Sequence, residues 1–108
     1  MPEYLIQESY THQGLSGLVS SSEDHSGVFK DLVESVAGQI ITLDYCVGDY
    51  DFVSVFEFPD NTTAASLVMA VASAGSITNA KTTVLIPIAD GFAAAQKARE
   101  MTYRASGQ

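Results

Sequence analysis

Two carboxylates inside predicted strands are the first candidates for acid–base chemistry. Asp44 lies in residues 40–47 and Glu57 in residues 52–58, two runs rich in β-branched and aromatic residues. A buried, unpaired carboxyl has a raised pKa and is a candidate acid or base. The alternative is that both lie near the sheet edge, in water or paired with Lys81 or an arginine.

His25 is the second candidate. In a continuous first helix, the apolar spacing of residues 15–32 would place His25 on the inward face, as a proton shuttle or single metal ligand. The serines at 20–22 and Gly27 instead favour an interrupted helix with His25 in a solvated loop. Both interpretations stay open at this point.

The sequence contains no recognisable metal or cofactor motif. Its single cysteine, Cys46, and two separated histidines do not form a ligand set, and we predict no metal and no cofactor. Lys81 shares a face of the last predicted strand with Asn79, so the two could orient an anionic or carbonyl group of a ligand.

The segment Gly48-Asp49-Tyr50-Asp51 between the two central runs is the strongest local motif. Glycine and aspartate are turn residues, which predicts a tight hairpin with Tyr50 packed over the loop. The functional interpretation is that Tyr50 and Asp51 line a ligand pocket at the end of the sheet.

Length and composition limit the classes of protein. The 108 residues, 46% of them hydrophobic, predict one folded domain over 1–108. The net charge of −8 argues against a nucleic-acid partner and against an anionic membrane surface. No apolar run is long enough to span a membrane and the N-terminus lacks a signal-peptide pattern, so we expect a cytoplasmic protein.

The order of predicted elements is strand, helix, strand, strand, helix, strand, helix. Pro59 stops the third strand, Asp60 or Asn61 caps the second helix, and Pro87 opens a final helix that fades near Tyr103. Gly38 is a plausible C-terminal cap of the first helix. This predicts an α+β protein with a ferredoxin-like βαββαβ arrangement, a four-stranded antiparallel sheet and an extra C-terminal helix.

The register of the central hairpin has two solutions. A four-residue loop at 48–51 pairs Tyr45 with Ser54 and gives the cleaner apolar face, whereas a three-residue loop pairs Tyr45 with Val53. Both hairpin faces carry large apolar residues, which an exposed sheet face normally lacks. We therefore expect the second face, with Asp44 and Glu57, to be covered by another copy of the chain. The alternative is that the last helix folds back over it.

These features together resemble the GYD-domain family, small and mostly bacterial or archaeal proteins of unknown function. The resemblance covers nearly the whole chain and is carried by the following residues: Gly48-Asp49-Tyr50-Asp51, Thr11, Gly14, Gly38, Pro59-Asp60, Gly75 and Thr82-Thr83. It implies a dimeric α/β barrel, in which two ferredoxin-like sheets pack face to face. The chain departs from the family at residues 20–27, where Glu23, Asp24 and His25 stand in place of an expected basic residue.

The leading interpretation is a protein that self-associates through its sheet and holds a small molecule on the sheet face, either in the space between the two sheets or at the mouth of each subunit. Related dimeric barrels include cofactor-independent oxygenases and isomerases, for which Asp44 or His25 would be the acid–base group here. Such a transfer from fold to function is an analogy. The alternatives are a non-catalytic ligand-sensing module and a structural oligomerisation protein.

Overall fold

The chain forms one four-stranded sheet and four helices. The computed structural model describes residues 1–21 and 26–106, so His25, Glu23 and Asp24 lie outside the described residues. In chain order the elements are β1 (Glu3–Tyr10), α1 (His12–Ser20), α2 (Ser26–Ser35), β2 (Gln39–Tyr45), β3 (Phe52–Glu57), α3 (Asn61–Ser73), β4 (Ile77–Leu85) and α4 (Ile88–Glu100). The predicted βαββαβ order with a C-terminal helix is confirmed, and two helices, α1 and α2, belong to the first crossover.

The sheet has the strand order β2-β3-β1-β4, and every neighbouring pair is antiparallel. Strand β3 lies between β1 and β2, and β1 lies between β3 and β4. Each helical crossover therefore skips one strand, which is the split βαβ pattern of a ferredoxin-like fold. The central strands are β1 and β3.

One face of the sheet, here called the covered face, carries the core. Alternation along β1 buries Tyr4, Ile6 and Glu8 on this face, and β3 adds Phe56. Helix α2 packs against it through Val33, and other core residues come from α3 and the segment before it: Phe58, Ala64 and Leu67. The sequence folds this way because the apolar positions of the central strands recur every second residue.

The helix ends are fixed by side chains that the sequence predicts for such positions. Asp60 caps α3, since its carboxylate accepts hydrogen bonds from the Thr63 N–H at 2.8 Å and the Thr63 hydroxyl at 2.7 Å. Thr11 caps α1 through the Gly14 N–H at 3.0 Å, and its hydroxyl donates to the Gly75 carbonyl at 2.7 Å. The start of α1 is thereby tied to the end of α3.

Gly38 has a different role from the predicted helix cap. The left-handed residue after α2 is Ala37, with φ 61°, while the Gly38 N–H donates to the Val33 carbonyl at 3.0 Å. A Cβ on Gly38 would lie 2.7 Å from the Phe58 ring. Glycine is required here because the chain passes directly over a buried aromatic ring.

Both expected hairpin registers are wrong. Tyr45 pairs with Phe52, and the Cys46 N–H donates to the Asp51 carbonyl at 2.9 Å, which makes a longer connection than either prediction. The physical reason is that the Asp51 N–H donates to the Glu8 carbonyl at 3.0 Å, so Asp51 is held by β1. Because the shift from the favoured register is two residues, the residues near the loop stay on their predicted faces.

The opposite sheet face, here called the open face, carries no helix in the described part of the chain. Its centre is apolar and half-buried by neighbouring strands, and it is built from Leu5, Val53 and Val55. The alternative that the last helix folds back over this face is wrong, because every residue of α4 is exposed. Among the described residues, no helix is long and apolar enough to cross a membrane.

Candidate functional site

A cavity of about 870 Å³ lies on the covered face, at the end of the sheet where β1 and β2 end and β3 begins. It is bounded by α1, α2 and the sheet. Its apolar lining residues are Leu18, Phe29, Leu43, Phe52, Val71 and Ile77. Volume and lining fall in the range of small-molecule sites in proteins, which are concave and mostly apolar.

Small residues in the helices and in the segments next to them leave this space open. Gly14, Gly17, Ser21, Ser26 and Ser76 contribute to the lining, and none has a side chain large enough to fill it. Gly14 is also needed for the approach of α1 to the chain before β4, since a Cβ there would collide with the Ser76 carbonyl oxygen. The close contact fixes α1 without filling the cavity.

Glu8 is the most unusual residue near the cavity. It is 5% exposed, lies on the covered face and is opposite Phe52 across the β1–β3 pair. Burial raises the pKa of its carboxyl group above the ordinary value. A buried carboxyl with a raised pKa beside an apolar cavity is typical of binding and catalytic sites.

Two tyrosines bring their hydroxyl groups together beside Glu8. Burial raises the pKa of Tyr10 to about 12, with further contributions from Tyr45, which shares a hydrogen bond with it, and from Asp51 and Glu8. Tyr10 and Tyr45 both line the cavity. Glu8, Tyr10 and Tyr45, here called the polar cluster, therefore place hydroxyl and carboxyl groups at one end of the cavity.

The Gly48–Asp51 loop supports this cluster from outside. The Asp51 carboxylate accepts a hydrogen bond from the Tyr10 N–H at 2.9 Å, and the Cys46 thiol donates to the Tyr50 carbonyl at 3.0 Å. Asp51 is thus a structural anchor between the loop and β1. The ligand-binding roles expected for Tyr50 and Asp51 stay predictions, and their loop does lie at the same end of the sheet as the cavity.

The remaining predicted site residues lie on the open face and do not converge. Asp44 pairs with Val53, which pairs with Gln7, which pairs with Lys81, so Asp44 and Lys81 stand in one row at opposite sheet edges. Three strand spacings separate them by about 14 Å. Asp44 also borders the cavity at its edge.

Glu57 lies at the other end of the sheet from the cavity, next to Glu3 on β1. It shares the open face with Asp44 and Lys81 but not their row. His25, the other candidate acid–base residue, lies outside the described residues. Within residues 1–21 and 26–106, no group of three or more His, Cys, Asp or Glu side chains could hold a metal ion.

Sequence reasoning missed Glu8 and Tyr10, although a signal for them exists. In β1 the residues Tyr4, Ile6, Glu8 and Tyr10 recur every second position, so the strand places a carboxylate and a phenol on the same face as two core residues. Glutamates are usually exposed, so a glutamate on the apolar side of a central strand is an informative exception. The carboxylates predicted from the sequence lie in β2 and β3, whereas Glu8 lies in β1.

The fold and the cavity define a small α+β domain with a ferredoxin-like sheet. The sequence model of the GYD domain matches residues 4–95, and the chain therefore belongs to the GYD-domain family. Over 90 residues it is 31% identical to the "Glutamine synthetase and cystathionine beta-lyase binding protein" of Thermus thermophilus. That match covers 83% of this chain and 94% of the relative. No solved structure matches the chain.

Proposed function

We propose that this protein is a binding protein that holds a small, largely apolar molecule in the cavity of its covered face. The observation that carries the proposal is the space of about 870 Å³ with six apolar lining residues and the polar cluster at one end. Binding sites of this kind take their affinity from apolar contact and their specificity from a few polar groups.

The polar cluster limits the chemistry of the ligand. Among the described lining residues there is no lysine, arginine or histidine, and the nearest described charged groups are carboxylates. Among the described residues an anion would meet carboxyl and hydroxyl groups and no cation, so nothing there would offset the loss of its hydration. The cavity therefore favours a neutral or positively charged molecule with an aromatic or aliphatic body and one hydrogen-bond donor.

The proposal is tested with three naphthalene derivatives that share the ring and differ in the polar group. Titration of the 15N-labelled protein with 1-naphthylmethylamine, 1-naphthalenemethanol and 1-naphthoate should show cavity amides shifting with the amine and the alcohol. The carboxylate should bind at least tenfold more weakly. Equal binding of all three probes, or shifts confined to amides outside the cavity, would contradict the proposal.

A matched pair of glycine variants tests the location. A Cβ on Gly17 meets no atom within 4 Å, and Gly17 lines the cavity, so Gly17→Leu should fill part of it. Gly27 is also helical and also has open space, but it is not a lining residue of this cavity. Gly17→Leu should abolish binding of the amine probe while Gly27→Leu retains it; equal binding by both variants refutes the site.

Enzymatic turnover is the alternative use of the same cavity. A cofactor-independent oxygenase or isomerase would need one acid–base group, and Glu8 is the residue with a suitable environment beside the cavity. We favour binding because the described lining is mainly apolar and Glu8 is the one described group beside the cavity whose carboxyl has a raised pKa, whereas an enzyme site usually brings several such groups together. Mass spectrometry of a molecule retained from the native host, before and after incubation with the protein in air, should find it unchanged.

We also propose that the chain is a single domain over residues 1–108 and works in the cytoplasm as a homo-oligomer of the dimeric α/β-barrel type. The open face, with Leu5, Val53 and Val55, would lie against the sheet of a second copy. Asp44, Glu57 and Lys81 would then border the space between the two sheets, which is one of the two places where we expected a ligand from the sequence.

Binding of metabolic enzymes is a second candidate function. The relative is named as a binding protein for glutamine synthetase and cystathionine beta-lyase. In this chain Val47 is fully exposed at the hairpin loop, next to the mostly exposed Tyr45. Exposed apolar residues at a loop tip are suited to contact with another protein.

Biolayer interferometry with purified glutamine synthetase and cystathionine beta-lyase from the same host tests this second function. Val47→Asp should weaken binding at least tenfold. Val19→Asp, which changes an exposed valine of α1, is the control and should bind like the parent protein. Absence of binding to either enzyme at micromolar concentration would remove this candidate and leave the cavity proposal untouched.

A further inference from the structure

The segment after β4, residues 86–104 and here called the C-terminal arm, packs against no other element in the described part of the chain. All 13 residues of α4 are exposed, and the arm presents large apolar side chains to solvent. Ile88 is 90% exposed, Phe92 is 61% exposed and Tyr103 is 85% exposed. Ile88, Phe92 and Ala95 follow helical spacing and form one apolar stripe, which is the pattern of a helix face that packs on something.

The arm projects from the body of the protein. The chain measures 60 × 32 × 23 Å and has a radius of gyration of 17.8 Å. A compact domain of this length has a radius of gyration of about 13 Å. A helix of the length of α4 is about 20 Å long, so it accounts for much of the excess. The apolar stripe is therefore carried away from the core that it could otherwise join.

The open face of the sheet is the complementary surface. Its centre is apolar, and at one end Glu3 and Glu57 are direct cross-strand neighbours. Like charges in that position destabilise a sheet unless a cation lies between them. The described residues form one ion pair, Lys30–Glu34 on α2. Neither Glu3 nor Glu57 therefore has a cationic partner among the described residues.

The arm carries three of the five basic residues of the chain. Residues 1–87 hold eleven of the thirteen acidic and two of the five basic residues, a net charge of −9. Residues 88–108 have a net charge of +1, with Lys97 and Arg99 in the last turn of α4 and Arg104 just beyond it. Charge as well as apolarity is thus complementary between the arm and the open face.

We propose that the C-terminal arm of one copy packs on a second copy at the end of its open face that carries the Glu3–Glu57 pair, with the cationic end of the arm against that pair, and that the rest of the open face is left for the contact between the two sheets. Each copy supplies one arm and one open face, so a symmetric dimer satisfies both surfaces at once. The inference deepens the homo-oligomer proposed above and does not depend on what the cavity binds. A different protein bound to the arm would cover its apolar stripe, but the open face of the same chain would stay exposed.

Size-exclusion chromatography with light scattering tests the arm. The parent protein should be dimeric at micromolar concentration, and Phe92→Asp should raise the dimer dissociation constant at least tenfold. Met69→Asp, on the outer side of α3 and 72% exposed, is the matched control and should stay dimeric. A monomeric parent protein, or a Phe92→Asp variant as dimeric as the control, overturns the proposal. Circular dichroism of each variant confirms that it is folded.

Charge reversal tests the contact itself. Reversal of Lys97, Arg99 and Arg104 to glutamate should weaken the dimer, and so should Glu3→Lys with Glu57→Lys. The variant with all five substitutions should regain at least part of the lost affinity, because the pairing is restored with opposite signs. Additive losses without recovery would contradict the contact.

A mixed-label experiment locates the arm without disturbing the interface. A nitroxide is attached to Ala94→Cys in a Cys46→Ser background, and this protein is mixed with 15N-labelled Cys46→Ser protein. Amide signals of Leu5 and Val55 in the labelled copy should broaden. Broadening only on the covered face, or none, overturns the arrangement. Titration of the same mixture with the naphthylmethylamine probe reads the cavity separately, so failure of either proposal is distinguishable from failure of the other.

Discussion

The two ends of the covered sheet face use the same strands and neighbouring helices, yet one end is filled and the other is hollow. At the filled end Tyr4, Phe56 and Phe58 are fully buried and in ring contact, with centroids 5.5 to 5.7 Å apart for the Phe56–Phe58 and Tyr4–Phe58 pairs. At the hollow end the same alternation presents Glu8 and Phe52 beside a cavity.

The difference lies in the helices more than in the strands. Val33, Ala64 and Leu67 fill the space above the aromatic rings at one end, while the helical residues Gly14 and Gly17 leave space at the other. A chain selected for stability alone would fill such a space, since each unfilled methylene costs contacts. The hollow end is thus the part of the covered face whose composition is not explained by packing alone.

Phe56→Ala is the change that should separate the two ends most strongly. It removes a fully buried ring that contacts Phe29 and Phe58, and it should lower the free energy of unfolding by about 3–5 kcal/mol. Phe52→Ala at the hollow end removes a half-buried ring beside existing space and should cost less than half as much. Urea denaturation measures both; equal losses would mean that the two ends are packed alike.

Glycine-to-alanine substitutions should have opposite signs at the two ends. Gly38→Ala places a Cβ 2.7 Å from the Phe58 ring and should cost about 1–3 kcal/mol through overpacking. Gly17→Ala adds a methyl group in open space within α1 and should stabilise the protein by up to about 1 kcal/mol, because alanine is the better helix former. Thermal unfolding of both variants decides this, and destabilisation by Gly17→Ala would show that the hollow end has no spare room.

The order of the elements and the covered core could be predicted from the sequence because they depend on local patterns. Alternation in β1 and β3, the Asp60 cap and the proline at position 87 each specify structure within a few residues. The family could also be recognised, since the Gly48–Asp51 motif has its characteristic neighbours.

The hairpin register and the polar cluster could not be predicted because both depend on contacts between distant residues. The hairpin register and the length of its loop follow from the hydrogen bond between the Asp51 N–H and the Glu8 carbonyl, two residues that lie 43 positions apart in the chain. The raised pKa of Glu8 follows from burial by elements that come later in the chain. The predictions for Asp44, Glu57 and Lys81 rested on residue type and position within a strand. Neither property fixes the distance between residues across a sheet.

Asp51→Ala should loosen the hollow end without affecting the filled end. The Asp51 carboxylate accepts from the Tyr10 N–H at 2.9 Å, so its loss should cost about 1 kcal/mol and release the loop from β1. Asp51→Asn keeps an acceptor and should lose less, and Asp49→Ala is the control in the same loop. Hydrogen exchange should show faster exchange at Tyr10 in Asp51→Ala but unchanged exchange at Phe56; uniform acceleration would contradict a local role.

Glu8→Gln should make the hollow end less sensitive to pH, and this is the smallest effect that we expect. Because burial raises the pKa of Glu8 in the folded state, the unfolded chain loses this proton at lower pH than the folded chain does. The stability that the protonated carboxyl contributes is fully present below its unfolded-state pKa and is lost as the pH rises through the folded-state pKa. Glutamine stays neutral throughout, so the variant should gain stability relative to the parent at neutral pH and lose that advantage in acid. Urea denaturation midpoints of the variant and the parent protein, measured at neutral pH and in acid, give the difference. A stability advantage of the variant that does not change with pH would mean that the Glu8 carboxyl is as well solvated in the folded protein as in the unfolded chain.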